Sequence, residues 1–269
     1  MSDMSIVYSQ QHSSSFYEGV LFEKNFLESY LQNQVHAKYY DEEGTTQLVE
    51  EFSDTRDTGF NVAELKNIFQ IDPTPIDWKI GECIAECFLE DNKKVRFHYN
   101  SSRDAKNQEG SQHGADLVGF TELNGETVFL FGEVKTSDSD KSPPHVLYGR
   151  FGMVCQLENI MNSQRIQGIL IRWLAFKRSS NNSTEAFKED FTNALRNYIE
   201  SGKRKQQLSG ILIRDITPNE SDLKSRYETF KQQLKPETFL TLSALYLPIK
   251  IDELEKFIVS GDENNVSKT

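Results

Sequence analysis

The feature that most limits how this chain can fold is Asn124-Gly125, set between Gly114-Ala115-Asp116-Leu117-Val118-Gly119-Phe120 and Thr127-Val128-Phe129-Leu130-Phe131-Gly132-Glu133-Val134-Lys135. Two β-rich runs joined by Asn-Gly make a hairpin, because both central residues of a type I′ turn need positive φ. A two-residue turn puts Leu123 opposite Glu126, so residues whose numbers sum to 249 face each other. Asp116 then faces Glu133. Directly opposed side chains share a side, with Cβ atoms about 4.5–5.5 Å apart, and two carboxylates at that spacing repel unless something positive lies between them. Lys135 projects from the same face as Glu133, and its opposite number is Gly114, which leaves space for a ligand. Val118, Phe120, Phe129 and Phe131 share the face of the charged trio, while Leu117, Leu130 and Val134 fill the other. A hairpin covered on both sides keeps charges only if they are paired or bound to a cation. Two readings stand at this point: a Lys135 ion pair with Glu133 or Asp116 at the rim of the sheet, or a divalent-cation site.

The flanking sequence supplies helices and further strands. Pro73 and Pro75 punctuate the chain, and Asp77 is placed to cap a helix running to about Glu90, with Ile80, Ile84, Cys87 and Phe88 at helical spacing. Lys94–Tyr99 alternates like a strand, and the polar run from Asn100 to Gly114 is too long for a minimal connection. Downstream, the patterns give helices over 145–163, 164–177 and about Glu185–Glu200, strands at Gly210–Ile216 and Thr238–Leu247, and a last helix at Ile251–Val259. Ile166, Ile169, Leu170, Trp173 and Leu174 form one stripe of the second of those helices, as core residues do. This alternation predicts an α/β fold with a mixed central sheet flanked by helices. Residues 1–75 form an acidic N-terminal α+β extension, with a helical pattern at 62–69; residues 76–260 hold the core, and 261–269 are expected to be a disordered tail.

Charge bears on partners. The chain carries 30 Lys and Arg against 41 Asp and Glu, a net −11, which argues against binding nucleic acid through bulk charge. The distribution is uneven, however: residues 1–92 have 5 bases against 18 acids, and residues 161–214 have 10 against 4. Two surfaces with different partners are expected. No window approaches the roughly 18 apolar residues of a membrane span, and the start lacks the basic-then-apolar order of a signal peptide, so a cytoplasmic protein without membrane contact is expected. Cys83 and Cys87 lack zinc spacing and read as packing residues. Without a Walker loop or G-x-S-x-G, ATPase and esterase readings have no support.

Gly-Ala-Asp116, the apolar hairpin and Glu133-Val134-Lys135, preceded by a helix with Gly81-Glu82-Cys83-Ile84-Ala85-Glu86, together resemble the PD-(D/E)XK nuclease superfamily, with Ala115 where the motif puts Pro. The resemblance implies a restriction-endonuclease-like core. It also implies Mg²⁺, or Mn²⁺ in its place, held by Asp116, Glu133, the Val134 carbonyl and a helix glutamate, either Glu82 or Glu86 one turn later. Lys135 would act on the attacking water or on the charge of the phosphorane. Gln156, on the helix after the lysine strand, would position DNA, while Arg150, Arg165, Arg172, Lys177 and Arg178, with the run Lys203-Arg204-Lys205, would contact phosphates beside the site. His113 adjoins it. The layout is also similar to the nuclease subunits of the Hachiman anti-phage defence system, which implies a bacterial metal-dependent DNase restrained by a superfamily 2 helicase. The alternative class is a catalytically silent DNA-binding or partner-binding subunit in which Glu133 and Lys135 are a structural pair.

Overall fold

A computed structural model describes residues 3–53, 75–100, 114–179 and 183–259. The helical pattern at 62–69, His113 and the tail lie outside them. Six strands, β1 (Met4–His12), β2 (Ser15–Phe22), β3 (Leu117–Leu123), β4 (Glu126–Ser137), β5 (Gln206–Arg214) and β6 (Thr238–Tyr246), make one mixed sheet in the order β1-β2-β6-β5-β4-β3. The four inner strands β2, β6, β5 and β4 run parallel. An antiparallel hairpin partner closes each edge. β5 is buried at every position, as a parallel strand covered on both faces must be. At the Asn124-Gly125 turn φ is 54° and 83°, and every pair from Leu117↔Gly132 to Leu123↔Glu126 keeps the expected register.

Helices cover both faces. The first is packed by Phe129, Phe131, Leu208, Leu212 and Leu242 of the sheet against α-helices in the second half of the chain. The other face meets its partners through Leu130, Val134, Ile211, Ile213 and Leu245. In chain order the helices are α1 (Lys24–Tyr30), α2 (His36–Tyr40), α3 (Glu42–Ser53), α4 (Asp77–Lys93), α5 (Met153–Asn162), α6 (Gln164–Arg178), α7 (Glu185–Glu200), α8 (Lys224–Lys231) and α9 (Leu254–Val259), with a π-helical turn at Leu31–Val35 joining α1 to α2. α5 to α8 lie on the Phe131 side, and α1, α2, α4 and α9 on the Val134 side. Each fully buried Phe or Leu contributes roughly 1.5–3 kcal/mol of transfer free energy, so this double layer holds the hairpin against the rest of the core.

Several boundaries differ from the sequence pattern: β5 spans Gln206–Arg214 where the pattern gives 210–216, and a 3-10 turn at Ile251–Glu253 precedes α9. Ile76, not Asp77, is the N-cap of α4, and it makes no side-chain cap bond; Asp77 begins the helix, where its charge suits the dipole. Lys94–Tyr99 forms only the bridge Arg96↔Phe120, because Lys94 takes a left-handed φ of 54° and the side chains of Arg96 and His98 turn to Asp190 of α7. The helix expected over 145–163 is split into a 3-10 turn at His145–Leu147 and α5, with a tight turn at Gly149–Gly152 between them. Of the N-terminal portion, β1 and β2 belong to the central sheet itself: β2 pairs with β6 from Phe16↔Thr241 to Leu21↔Tyr246 and buries what would be an open edge. Among the described residues no helix is long and apolar enough to cross a membrane.

Candidate active site

The β3–β4 ladder ends at Leu117↔Gly132, one pair short of the acids. Asp116 leaves strand geometry there: its N–H donates to the Gly132 carbonyl at 3.0 Å, and its carboxylate accepts the Val134 N–H at 2.9 Å. The strict opposition of Asp116 to Glu133, and of Gly114 to Lys135, is therefore replaced by a side chain standing in for a backbone acceptor. The two carboxyl groups remain near enough for each to perturb the proton affinity of the other. Lys135 Nζ lies 2.5 Å from Glu133 Oε1. Glu133 is 3% exposed, while Asp116, Lys135 and Glu82 keep partial contact with solvent.

Glu82 arrives from the other layer. Gly81 packs so closely on β4 that a Cβ there would stand 2.5 Å from Thr136 Oγ1, which brings the first turns of α4 down beside the lysine strand. Burial, then the charges of Asp116, Glu86 and Glu133, push the Glu82 carboxyl up to about 9. Glu133 and Asp116 are raised as well, in each case chiefly by burial. Repulsion from Asp116 adds to the rise at Glu133, while the Val134 N–H and Lys135 offset part of it at Asp116. Lys79 offsets a small part of the rise at Glu82, so three carboxyls stand against Lys135 and this weaker contribution. Glu86, one turn on, is engaged by Lys38 at 3.2 Å, which leaves Glu82 as the helix carboxyl that senses the hairpin acids.

The donor set is all oxygen, half-buried and in anionic excess, which is the chemistry of a site for a hard divalent cation. Among the described residues no three His, Cys, Asp or Glu side chains already stand close enough to ligate an ion together. Lys135 offsets part of their charge, and burial favours the protonated form of each.

The other expected residues divide by position. Gln156 lies on α5, whose Met153 and Leu157 pack over Gly210, the register partner of Glu133; its side-chain Oε1 is buried without a hydrogen-bond partner among the described residues. Arg150 is exposed just before α5, and Arg165 and Arg172 are exposed on α6, whose Leu170 rests on Gly114. Lys177 and Arg178 cover the rings of Trp173 and Phe191, and Trp173 packs with Tyr99 as part of the core stripe. The run Lys203-Arg204-Lys205 is not beside the site. Lys205 bonds Glu126 at 2.8 Å and Arg204 reaches Glu237 at 3.7 Å, so the run sits where β4 begins, about 23 Å along the strand from Glu133 at ~3.3 Å per residue.

One residue of consequence escaped the sequence reading. Arg214 is completely buried at the end of β5, paired with Asp222 at 3.4 Å, and it donates to the Ser137 Oγ at 3.1 Å and to the Lys141 carbonyl at 2.9 Å. It pins the chain that leaves the lysine strand. An arginine closing the apolar run Ile211-Leu212-Ile213 was the available signal. In comparisons with known proteins, no family model and no curated protein matches this chain.

Proposed function

We propose that the protein is a metal-dependent DNA nuclease that hydrolyses phosphodiester bonds at the Asp116–Glu133–Lys135 cluster. The observation that carries this reading is the surplus of three interacting, partly buried carboxyls over Lys135 and Lys79, of which Lys79 offsets only the smallest part of the rise at Glu82. A structural ion pair needs one acid for one base, and the surplus acids raise each other's proton affinity at a cost that only a cation or a proton relieves. Asp116, Glu133, Glu82 and the Val134 carbonyl would hold Mg²⁺ or Mn²⁺, which when bound supplies a Lewis acid for the phosphate and an acidified water. Lys135, released from Glu133, holds that water or offsets charge on the phosphoryl oxygens as a point cation. Val134 N–H fixes Asp116, and Arg214 fixes the segment that follows Lys135. By resemblance, the setting is an anti-phage complex in which a helicase restrains the nuclease, and the exposed acids Glu42, Glu43, Glu50 and Glu51 of α3 suit a basic partner.

The short Lys135–Glu133 contact also favours a second reading, a catalytically silent DNA-binding or partner-binding subunit. Incubating the full chain with supercoiled and linear DNA, in Mg²⁺ and in EDTA, separates the two. Cleavage should require the metal, and Asp116→Asn, Glu133→Gln and Lys135→Ala should each remove it by at least about 100-fold without adding up in combination, since such a site fails as a unit. Metal-independent behaviour, or full cleavage by Lys135→Ala, refutes the nuclease.

A further inference from the structure

The turn between the 3-10 element and α5 has no part in holding the acids, yet it is built with care. Gly152 N–H donates to the Gly149 carbonyl at 3.1 Å, so Arg150 and Phe151 form the tip of a tight turn. Gly149 has a φ of +71°, and a Cβ on Gly152 would lie 2.3 Å from the Tyr148 carbonyl oxygen, so neither position accepts a side chain without strain. Both shoulders are anchored: Leu147 and Met153 are buried, and the Arg226 guanidinium lies 3.9 Å above the Tyr148 ring. The tip itself is bare. Phe151 is 76% exposed, more than any other large hydrophobic side chain among the described residues, and the Arg150 guanidinium stands 5.7 Å from its ring.

Its place in the fold is specific. Met153, two residues and at most about 7 Å of chain from Phe151, puts its Sδ where a Cβ on Gly210 would be, and Gly210 is the register partner of Glu133. The turn therefore rises from the face of the sheet that carries Glu133 and Lys135. Lys141 and His145, both exposed, lie on the same connection from β4. An anchored aromatic face beside a guanidinium matches a nucleobase and its phosphate. Bases inside a duplex are already stacked on both sides, and only an unpaired one offers its face.

Resting on the nuclease reading, we infer that Phe151 and Arg150 form a stacking platform for an unpaired nucleotide, which makes the substrate class single-stranded DNA or DNA with unpaired ends, flaps or gaps. The platform binds a base on Phe151 and its phosphate on Arg150, next to the acids.

The test uses the full chain in the Lys135→Ala background with Mg²⁺, and fluorescence anisotropy of a labelled oligo(dT) and of a duplex of equal length. Phe151→Ala should weaken oligo(dT) binding roughly ten-fold, the order of one base–aromatic stack, and leave the duplex within about two-fold. Phe151→Tyr should restore single-strand binding. Arg150→Ala should weaken both ligands and flatten the log–log salt dependence by about one. Unchanged oligo(dT) binding by Phe151→Ala overturns the inference, as does an equal loss on both ligands, which would assign the ring to a protein partner or to folding. Phe151-dependent binding in the Lys135→Ala background, together with no cleavage in Mg²⁺ by the chain that keeps Lys135, would uphold the platform and sink the nuclease reading alone. Failure to bind either DNA refutes both.

Discussion

Replacing Glu82 by Gln tests the electrostatics of the site without reference to any substrate. In the metal-free protein the Glu82 carboxyl titrates near 9 instead of its ordinary 4.5, because burial and the charges of Asp116, Glu86 and Glu133 oppose ionisation. A raised folded value means that the folded state holds the proton more tightly than the unfolded one. That contribution to stability is complete below about 4.5 and is lost as pH climbs towards 9. Each pH unit in the window costs about 1.4 kcal/mol if fully expressed, or about 4 kcal/mol between pH 5 and 8. Partial solvent contact and relaxation reduce this to about 2 kcal/mol. Gln has no proton to lose. In EDTA the melting temperature of Glu82→Gln should therefore rise relative to wild type by about 4–8 °C between pH 5 and pH 8, at ~2–4 °C per kcal/mol for a chain of this size. Asp116 and Glu133 are raised in the same direction, so the wild-type curve should fall with pH more steeply than Glu82 alone explains. Under the proposed function, Mg²⁺ should restore the wild type at pH 8 and the variant less. Differential scanning fluorimetry across the pH series gives the answer, and parallel curves for the two proteins from pH 5 to 9 would refute the reasoning.

Two further outcomes follow from geometry. Changing Lys203, Arg204 and Lys205 together to Ala should leave cleavage and the salt dependence of DNA binding nearly unchanged, because Arg204 and Lys205 are engaged by acids at the far end of β4; a ten-fold loss in a filter-binding titration would contradict this placement. Asp222→Ala should cost about 3–5 kcal/mol in urea unfolding by stranding the fully buried Arg214, and an unaltered midpoint would show that Ser137 and Lys141 alone satisfy the guanidinium.

What could be read from the sequence was what local chemistry decides. The Asn-Gly turn specifies both its own dihedral angles and the register behind it, so the pairing of seven residues on β3 followed from two. Asp116 broke the register because its carboxylate can take the place of a backbone carbonyl for Val134, a choice that no pattern of apolar residues encodes. The run at 203–205 carried charge but no address. Its distance from Glu133 depends on the parallel pairing Phe129↔Gln206, which joins residues far apart in sequence. The turn shaped by Gly149 and Gly152 was hidden inside a stretch, 145–163, that read as one helix.

The pairing of β2 with β6 has a consequence for how the molecule is made. During synthesis β2 can pair at once with β1, but the other edge of Phe16 to Leu21 stays open until Thr241 to Tyr246 leave the ribosome. The acid-bearing hairpin, closed by a two-residue turn, can assemble microseconds after it appears. Its neighbour β5 follows some seventy residues later, but the N-terminal hairpin is held in suspense for most of translation, with Tyr17, Val20 and Phe22 exposed to any other strand edge. Completion of the sheet is therefore a late, long-range closure of the two ends of the chain. A stalled or truncated chain would be left with an apolar strand whose second edge has nothing to join.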